Sequence, residues 1–368
     1  EWSYEKPDTE GVEHASRIAM RHLAPEERKG SFKEIAFGFN EEEAKGEAKR
    51  CLECGICSEC YQCVKACEPK AVDHDMEPQT LEVEVGSICV ATGYDIMDPT
   101  PMKQFGYGTY PNVLTSLEFE RLNNATGPTS GQILMRDESG NFTTPPQSVA
   151  LVHCIGSRDD NYHEYCSRVC CMYALKYGHL IKDKVGHHAK VYDYYIDMRC
   201  FGKGYEEFYV RCQEEGIGFI RGKPAEVTNQ ALTPGEEGKL IVIGEDTLLG
   251  KRYRTPVDMV ILCAAMHARD DAIDVGRVFG VNQVADGFFL EEHPKLGQLN
   301  KATDGVFLAG ACQGPKDIPD TVAQASGAAA KALELAARGW VEVSPTICWI
   351  DPNVCAGCQT CIELCAYT

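Results

Sequence analysis

Ser148-Val-Ala-Leu-Val-His-Cys-Ile-Gly-Ser-Arg158 runs from an apolar stretch into a cysteine-bearing turn, and the fold is read outward from it. Val149 to Cys154 reads as a strand. After it the pattern predicts a helix over about Ser167 to Lys182, a strand at Lys190 to Tyr194, a helix at Gly204 to Glu215 and a short strand at Gly218 to Ile220. Strands alternating with helices in this way predict an α/β fold with a parallel sheet. A dinucleotide-binding unit places G-x-G-x-x-G at the end of its first strand, so that pyrophosphate meets a helix N-terminus. Here only Gly156 is present, and the loop and helix start carry Cys154, Cys166, Cys170 and Cys171 instead. The expectation is a nucleotide crevice converted into an iron–sulfur site with these four ligands. Buried structural cysteines are the alternative, because free cysteine is commonly interior.

On either side of this unit the signals are shorter. Leu240 to Ile243 and Val257 to Cys263 read as strands separated by turns at Pro234-Gly235 and Gly250, and Val306 to Ala309 as a buried strand. Thr321 to Ala337 predicts a helix packed on a sheet. Upstream, Asn40 followed by Glu43 resembles a helix cap with its reciprocal acid, Leu81 to Val85 and Ser87 to Ala91 read as strands, and 95–147 reads as a loop-rich excursion.

Two further cysteine constellations lie outside this alternating unit. Cys57, Cys60, Cys63 and Cys67 have the C-x2-C-x2-C-x3-C spacing of bacterial ferredoxins, and Cys51 and Cys54 extend the series. Cys355, Cys358, Cys361 and Cys365 repeat that spacing near the C-terminus, after Asp351-Pro-Asn353. Three thiolates from successive tight turns cap three irons of a cubane, while the fourth comes from farther away. Structural zinc on C-x2-C pairs is the other reading of such cysteines, although zinc ribbons separate their pairs by a loop. Cys348, seven residues upstream of Cys355, is read as a spare thiol, with ligation as the alternative. Cys89, Cys200, Cys212, Cys263 and Cys312 are read as core residues.

The chain has 368 residues, 20 cysteines and a formal charge of −19, from 55 acidic against 36 basic residues. That charge disfavours nucleic acid or an anionic membrane surface as partner. No apolar run reaches transmembrane length and no signal-peptide pattern opens the chain, so a cytoplasmic location is expected. No histidine sits in a recognisable catalytic constellation, and no catalytic residue is singled out.

Two segments resemble the flavin half of thioredoxin-reductase-type oxidoreductases: Gly86-Ser-Ile-Cys-Val-Ala-Thr-Gly-Tyr94, and Thr303-Asp-Gly-Val-Phe-Leu-Ala-Gly310 with the following Ala-Cys-Gln-Gly-Pro-Lys-Asp-Ile-Pro319. The resemblance implies FAD, with Ala91, Thr92, Gly93, Gly310, Lys316, Asp317, Ile318 and Gln324 beside it. No G-x-G-x-x-G occurs in the chain, so the first half of that flavin domain is expected upstream of Glu1. Together with the Cys-Ile-Gly-Ser-Arg and Tyr-Cys-Ser-Arg-Val-Cys-Cys-Met stretches, Gly-Pro-Lys-Asp-Ile-Pro-Asp320 resembles the A-type subunits of heterodisulfide reductases and their relatives over roughly 51–368. Residues 1–50 are similar to the tail of glutamate-synthase small-subunit-type flavoproteins.

The fold so implied is α/β, with thioredoxin-reductase-like FAD/NAD(P)-type Rossmann domains and ferredoxin-like iron–sulfur modules. Its expected divisions are a helical connector (1–50), an iron–sulfur module (51–80), a flavin-domain part (81–147 and 225–340), a Rossmann-like domain (148–224) and the start of a second ferredoxin domain (341–368). The function implied is electron transfer between FAD and [4Fe–4S] clusters in a heterodisulfide reductase-type complex, with flavin-based bifurcation. Its partners would be B- and C-type subunits, a hydrogenase or dehydrogenase module, and ferredoxin. The alternatives are an NAD(P)H-linked flavoprotein of the glutamate-synthase small-subunit type and a non-catalytic metal scaffold.

Overall fold

The computed structural model describes residues 11, 14–29, 34–51, 64, 67–73, 76–299, 304–340 and 349–363. The chain divides into two compact units, residues 2–82 and residues 83–368. In the smaller unit, α1 is Pro25–Arg28 and α2 is Glu41–Ala48. The expected cap of α2 is formed: Asn40 Oδ1 accepts from the Glu43 amide, and the Glu43 carboxylate accepts from the Asn40 amide, both at 2.8 Å.

The larger unit begins with β1 (Ile88–Val90), β2 (Asp95–Ile96), β3 (Val113–Thr115), α3 (Ser116–Asn123) and β4 (Ser148–Ile155). It continues with α4 (Cys170–Lys184), β5 (Lys190–Tyr195), α5 (Tyr205–Glu214), β6 (Gly218–Arg221), β7 (Glu226–Thr228), β8 (Leu240–Asp246), β9 (Lys251–Val257) and β10 (Met259–Ala264). After these come β11 (Met266–His267), α6 (Ala272–Phe279), β12 (Val306–Leu308), α7 (Ile318–Arg338) and α8 (Thr360–Glu363). Five strands form one parallel sheet in the order β3-β10-β4-β5-β6.

Every residue of β4 is buried, as a strand covered on both faces requires. Leu151 packs on one side with Phe119 of α3 and Leu175 and Ile181 of α4. Ala150 and Val152 join Val227, Val242 and Val257 of the antiparallel meander β7-β8-β9 on the other. Separately, β1 pairs in parallel with β12, setting Val90 opposite Leu308. No helix among the described residues is long and apolar enough to cross a membrane.

The structure departs from the sequence reading in several places. The stretch 95–147 supplies an edge strand of the main sheet, β3, and a helix, α3, capped reciprocally by Thr115 and Glu118. An expected boundary at 225 does not follow the sheet, because β10 lies between β3 and β4. Leu81 to Val85 forms no strand and its large side chains are exposed. Helix α4 starts at Cys170 rather than Ser167, since Arg168 has φ +61° and cannot continue a right-handed helix. Helix α7 starts earlier than Thr321, because Asp317 accepts from the Asp320 amide at 2.9 Å and caps it.

Asp258, between β9 and β10, ties the sheet together. Its Oδ2 accepts from the Gln147 amide at 2.8 Å, the Ser148 amide at 2.9 Å and the Ser148 hydroxyl at 3.0 Å, and its other oxygen pairs with Lys239. Burial pushes this carboxyl up, but Lys239 and Ser148 more than offset it, and the net shift is downward. A carboxyl held below its unfolded value stabilises the fold above that value and loses the contribution as pH falls. Asp258→Asn is therefore expected to cost about 1–3 kcal/mol at neutral pH. Urea unfolding should show the gap to the wild type narrowing between about pH 5 and pH 3; a gap independent of pH would mean that the carboxylate charge contributes nothing.

Candidate functional site

The loop after β4 carries the cysteines. Cys154, Arg158 and Arg168 have φ of +57°, +52° and +61°, three of six such non-glycine residues among those described. Left-handed backbone at bulky residues is costly and clusters at functional sites. The loop folds back on itself: the Arg158 amide donates to Tyr165 O at 2.9 Å and the His163 amide to Gly156 O at 3.1 Å. It is pinned to β11, where the Tyr165 hydroxyl donates to Met266 O at 2.9 Å and the Met266 amide to Ser167 Oγ at 3.0 Å. Gly156 is required sterically, because a Cβ there would lie 2.0 Å from Met97 Sδ.

This architecture gathers the four predicted thiols. Cys154, Cys170 and Cys171 are buried and Cys166 is half-buried, and Cys154 and Cys170 each lie within electrostatic reach of the other three. Among the described residues no three His, Cys, Asp or Glu side chains converge on a single ion. Burial pushes the Cys154 and Cys170 thiols up. Cys171 is pushed up by burial too, but neighbouring His153 reverses this, and the net shift is downward.

The sequence reading did not single out His153, although a histidine inside an apolar strand was the available signal. Its Nε2 lies 3.1 Å and 3.2 Å from the two carboxylate oxygens of Asp193, and both side chains are buried. Burial opposes the charge on His153, yet Asp193 overrides it and holds the imidazole well above its usual value. Ser157 Oγ and Arg158 Nη1 are buried with no hydrogen-bond partner, and His153 is turned to the Cys171 thiol. Arg158 lies in the field of Cys154 and Cys166. Unsatisfied donors around four thiols match the hydrogen-bond demand of an iron–sulfur cluster, whose sulfurs accept from their surroundings.

A dinucleotide fold reserves an acid beyond its second strand for the ribose hydroxyls. The acid following β5, Asp197, is occupied by Arg158 at 2.8 Å and Arg221 at 3.1 Å.

The β1–β12 pairing brings the two flavin-type segments together. Ala91, Gly93, Gly310, Lys316, Asp317 and Ile318 line one cavity of about 360 Å³. On the other side of the α7 start, Lys316 and Gln324 line a second, of about 620 Å³, with Arg168, Glu291, Gln313 and Asp320. Thr92 lines neither and faces Cys312 through its backbone. Gly310 has φ +79°, and a Cβ would sit 3.4 Å from Thr321 Cγ2, so the backbone is bare where a ligand would approach. Its amide donates to Gln324 Oε1 at 2.8 Å. Burial pushes the Lys316 amine down, and Arg168 adds to that. A bare glycine backbone, a capped helix N-terminus and a desolvated lysine fit the polar edge of a flavin.

Of the ferredoxin-type runs, Cys54, Cys57, Cys60, Cys63 and Cys365 lie outside the described residues, as does Cys348. Cys51 is exposed and Cys67 half-buried, and the Ala71 amide donates to Cys67 Sγ at 3.2 Å. Cys355, Cys358 and Cys361 are exposed. The Gly357 amide donates to Cys355 Sγ and the Thr360 hydroxyl to Cys358 Sγ, each at 3.4 Å. The Thr360 bond draws the Cys358 thiol down. Cys200, Cys212, Cys263 and Cys312 are buried as expected, but Cys89 is exposed.

Compared with models of known protein families, the chain matches none. It is similar to the A-type subunit of an H2:CoB-CoM heterodisulfide, ferredoxin reductase of Methanothermobacter marburgensis, at 51% identity over 314 residues, covering 84% of this chain and 46% of the relative. The iron–sulfur A-type subunit of a CoB–CoM heterodisulfide reductase from Methanopyrus kandleri is 49% identical over 299 residues, covering 81% and 44%. A ferredoxin/F420H2-dependent counterpart from Methanosarcina acetivorans is 40% identical over 318 residues, covering 86% and 38%. Among solved structures, thioredoxin reductase of T. acidophilum aligns with a TM-score of 0.42 at 12% identity, over 68% of this chain and 66% of that one. The chain thus spans about half the length of the curated relatives it matches. On the sequence matches, it belongs to the family of heterodisulfide reductase A-type subunits.

Proposed function

We propose that this chain carries electrons between a flavin and [4Fe–4S] clusters within a heterodisulfide reductase-type oxidoreductase. One observation carries the reading. The cysteine loop that replaces the phosphate-binding turn is joined directly to the start of α7 at the flavin-type cleft, through Arg168 and Asp320 at 2.6 Å. A flavin exchanges electrons in pairs and a cubane singly, so the two placed side by side convert paired transfer into single transfer.

The residues divide the work. Cys154, Cys166, Cys170 and Cys171 would hold the cluster of the loop, with His153, Ser157 and Arg158 donating to its sulfurs. Gly310, Lys316 and the capped start of α7 would hold the flavin, the amine and helix N-terminus stabilising negative charge on its reduced form. The runs beginning at Cys51 and Cys355 would conduct to partners. One relative is named for two acceptors, a heterodisulfide and ferredoxin; this supports division of an electron pair between two routes, with ferredoxin, B- and C-type subunits and a hydrogenase or dehydrogenase module as partners in the cytoplasm. Because Asp197 is engaged by two arginines, an NAD(P)H site on this sheet is disfavoured.

Two substitutions separate the centres. In the purified native protein, Cys170→Ala is expected to lower iron and acid-labile sulfide by the content of one cluster while flavin stays at the wild-type level. Gly310→Val places a branched side chain on left-handed backbone facing the cleft. It is expected to abolish flavin absorbance with iron unchanged, beyond a strain cost of about 1–2 kcal/mol. Zinc without sulfide in the wild-type protein would overturn the electron-transfer reading and leave a metal scaffold.

A further inference from the structure

Resting on that reading, we propose that Arg168 is a positioning residue that couples the cysteine-loop cluster to the flavin cleft, because one residue contacts both. Its amide donates to Cys166 Sγ at 3.3 Å. That bond exists because the backbone at 168 is left-handed, which also keeps the residue out of α4. Its guanidinium leaves in the other direction and donates to Asp320 Oδ2 at 2.6 Å and to Pro315 O at 3.4 Å. The Asp320 side chain is half exposed, and its amide donates to Asp317 Oδ1, the cap of α7. Arg168 therefore grips the turn that aims the helix N-terminus. From the side, the Phe201 ring lies 5.3 Å from the guanidinium carbon, a cation–π contact that limits the arginine's swing. The same side chain lines the larger cavity with Lys316 and Gln324.

An arginine held by an anion, a carbonyl and a ring keeps less rotamer freedom than an untethered one, and its planar fork transmits displacement where a flexible lysine would absorb it. A shift in the first turn of α7 is thus passed to the amide that bonds a ligand sulfur, and the reverse also holds. Electron transfer between two enclosed centres falls steeply with their separation, so fixing that separation sets the rate.

The decisive variant is Asp320→Asn, which alters the helix and leaves the cysteine loop untouched. In the purified native protein, with iron, sulfide and flavin per chain at wild-type levels, the electron paramagnetic resonance signal and midpoint potential of the loop cluster are expected to change. Arg168→Met is expected to shift both the cluster and the flavin potentials and to slow cluster reduction by reduced flavin on the order of tenfold or more, with Arg168→Lys recovering part of the loss. If Asp320→Asn altered the flavin potential alone, or Arg168→Met left both potentials and the rate at wild-type values, the coupling role would be overturned. A wild-type protein lacking iron or flavin would instead overturn the underlying function, so the two failures are told apart.

Discussion

Strand β4 is covered on both faces, and the rest of the larger unit depends on that constraint. A strand buried this way admits apolar side chains almost throughout, which explains the unbroken run from Val149 to Val152. It also fixes what lies on either side: α3 and α4 across Leu151, the meander across Ala150 and Val152. Since a parallel sheet delivers every strand end to the same edge, the turn after β4 and the acid after β5 meet there. Chemistry at that edge is inherited from the sheet, and only the residues in the turn decide which chemistry it is.

The buried His153–Asp193 pair departs furthest from the apolar rule. Burying an ion pair in a sheet is a poor way to gain stability, because desolvation consumes most of the attraction. Such a pair persists where its field has something to act on. Here Cys171 and Cys154 lie in that field, which ties this buried pair to the proposed cluster site.

How much was legible from sequence depended on the range of the signal. The alternation from Ser148 to Ile220 and the Asn40 cap are local patterns, and both formed. Position at the end of the first strand marked Cys154, Cys166, Cys170 and Cys171 as a group, and the structure sets Cys154 and Cys170 within electrostatic reach of the other members. Strand β10 was legible as a strand, but its insertion between β3 and β4 was not, since nothing in Met259 to Ala264 records which neighbours it pairs with. Strand β3 and α3 were overlooked because three apolar residues and a two-turn helix are too short for periodicity to register; Thr115 and Glu118 were the available cue. The contacts of Arg168 and Asp197 span long separations in sequence, and side-chain direction at left-handed positions follows no periodic rule. The candidate ligands stand out in the sequence, whereas the residues that contact them across the fold do not.

The arginines closing on Asp197 have a kinetic meaning. In an ordinary dinucleotide fold that acid faces an exchangeable carrier, and turnover waits on arrival and departure of a soluble nicotinamide. Arg158 and Arg221 take that place here, so a ribose would have to displace two ion pairs to reach the acid. On the proposed reading, a cluster held at this edge would pass charge to a neighbouring centre without any carrier leaving the crevice, and the step would not depend on the concentration of a soluble nucleotide.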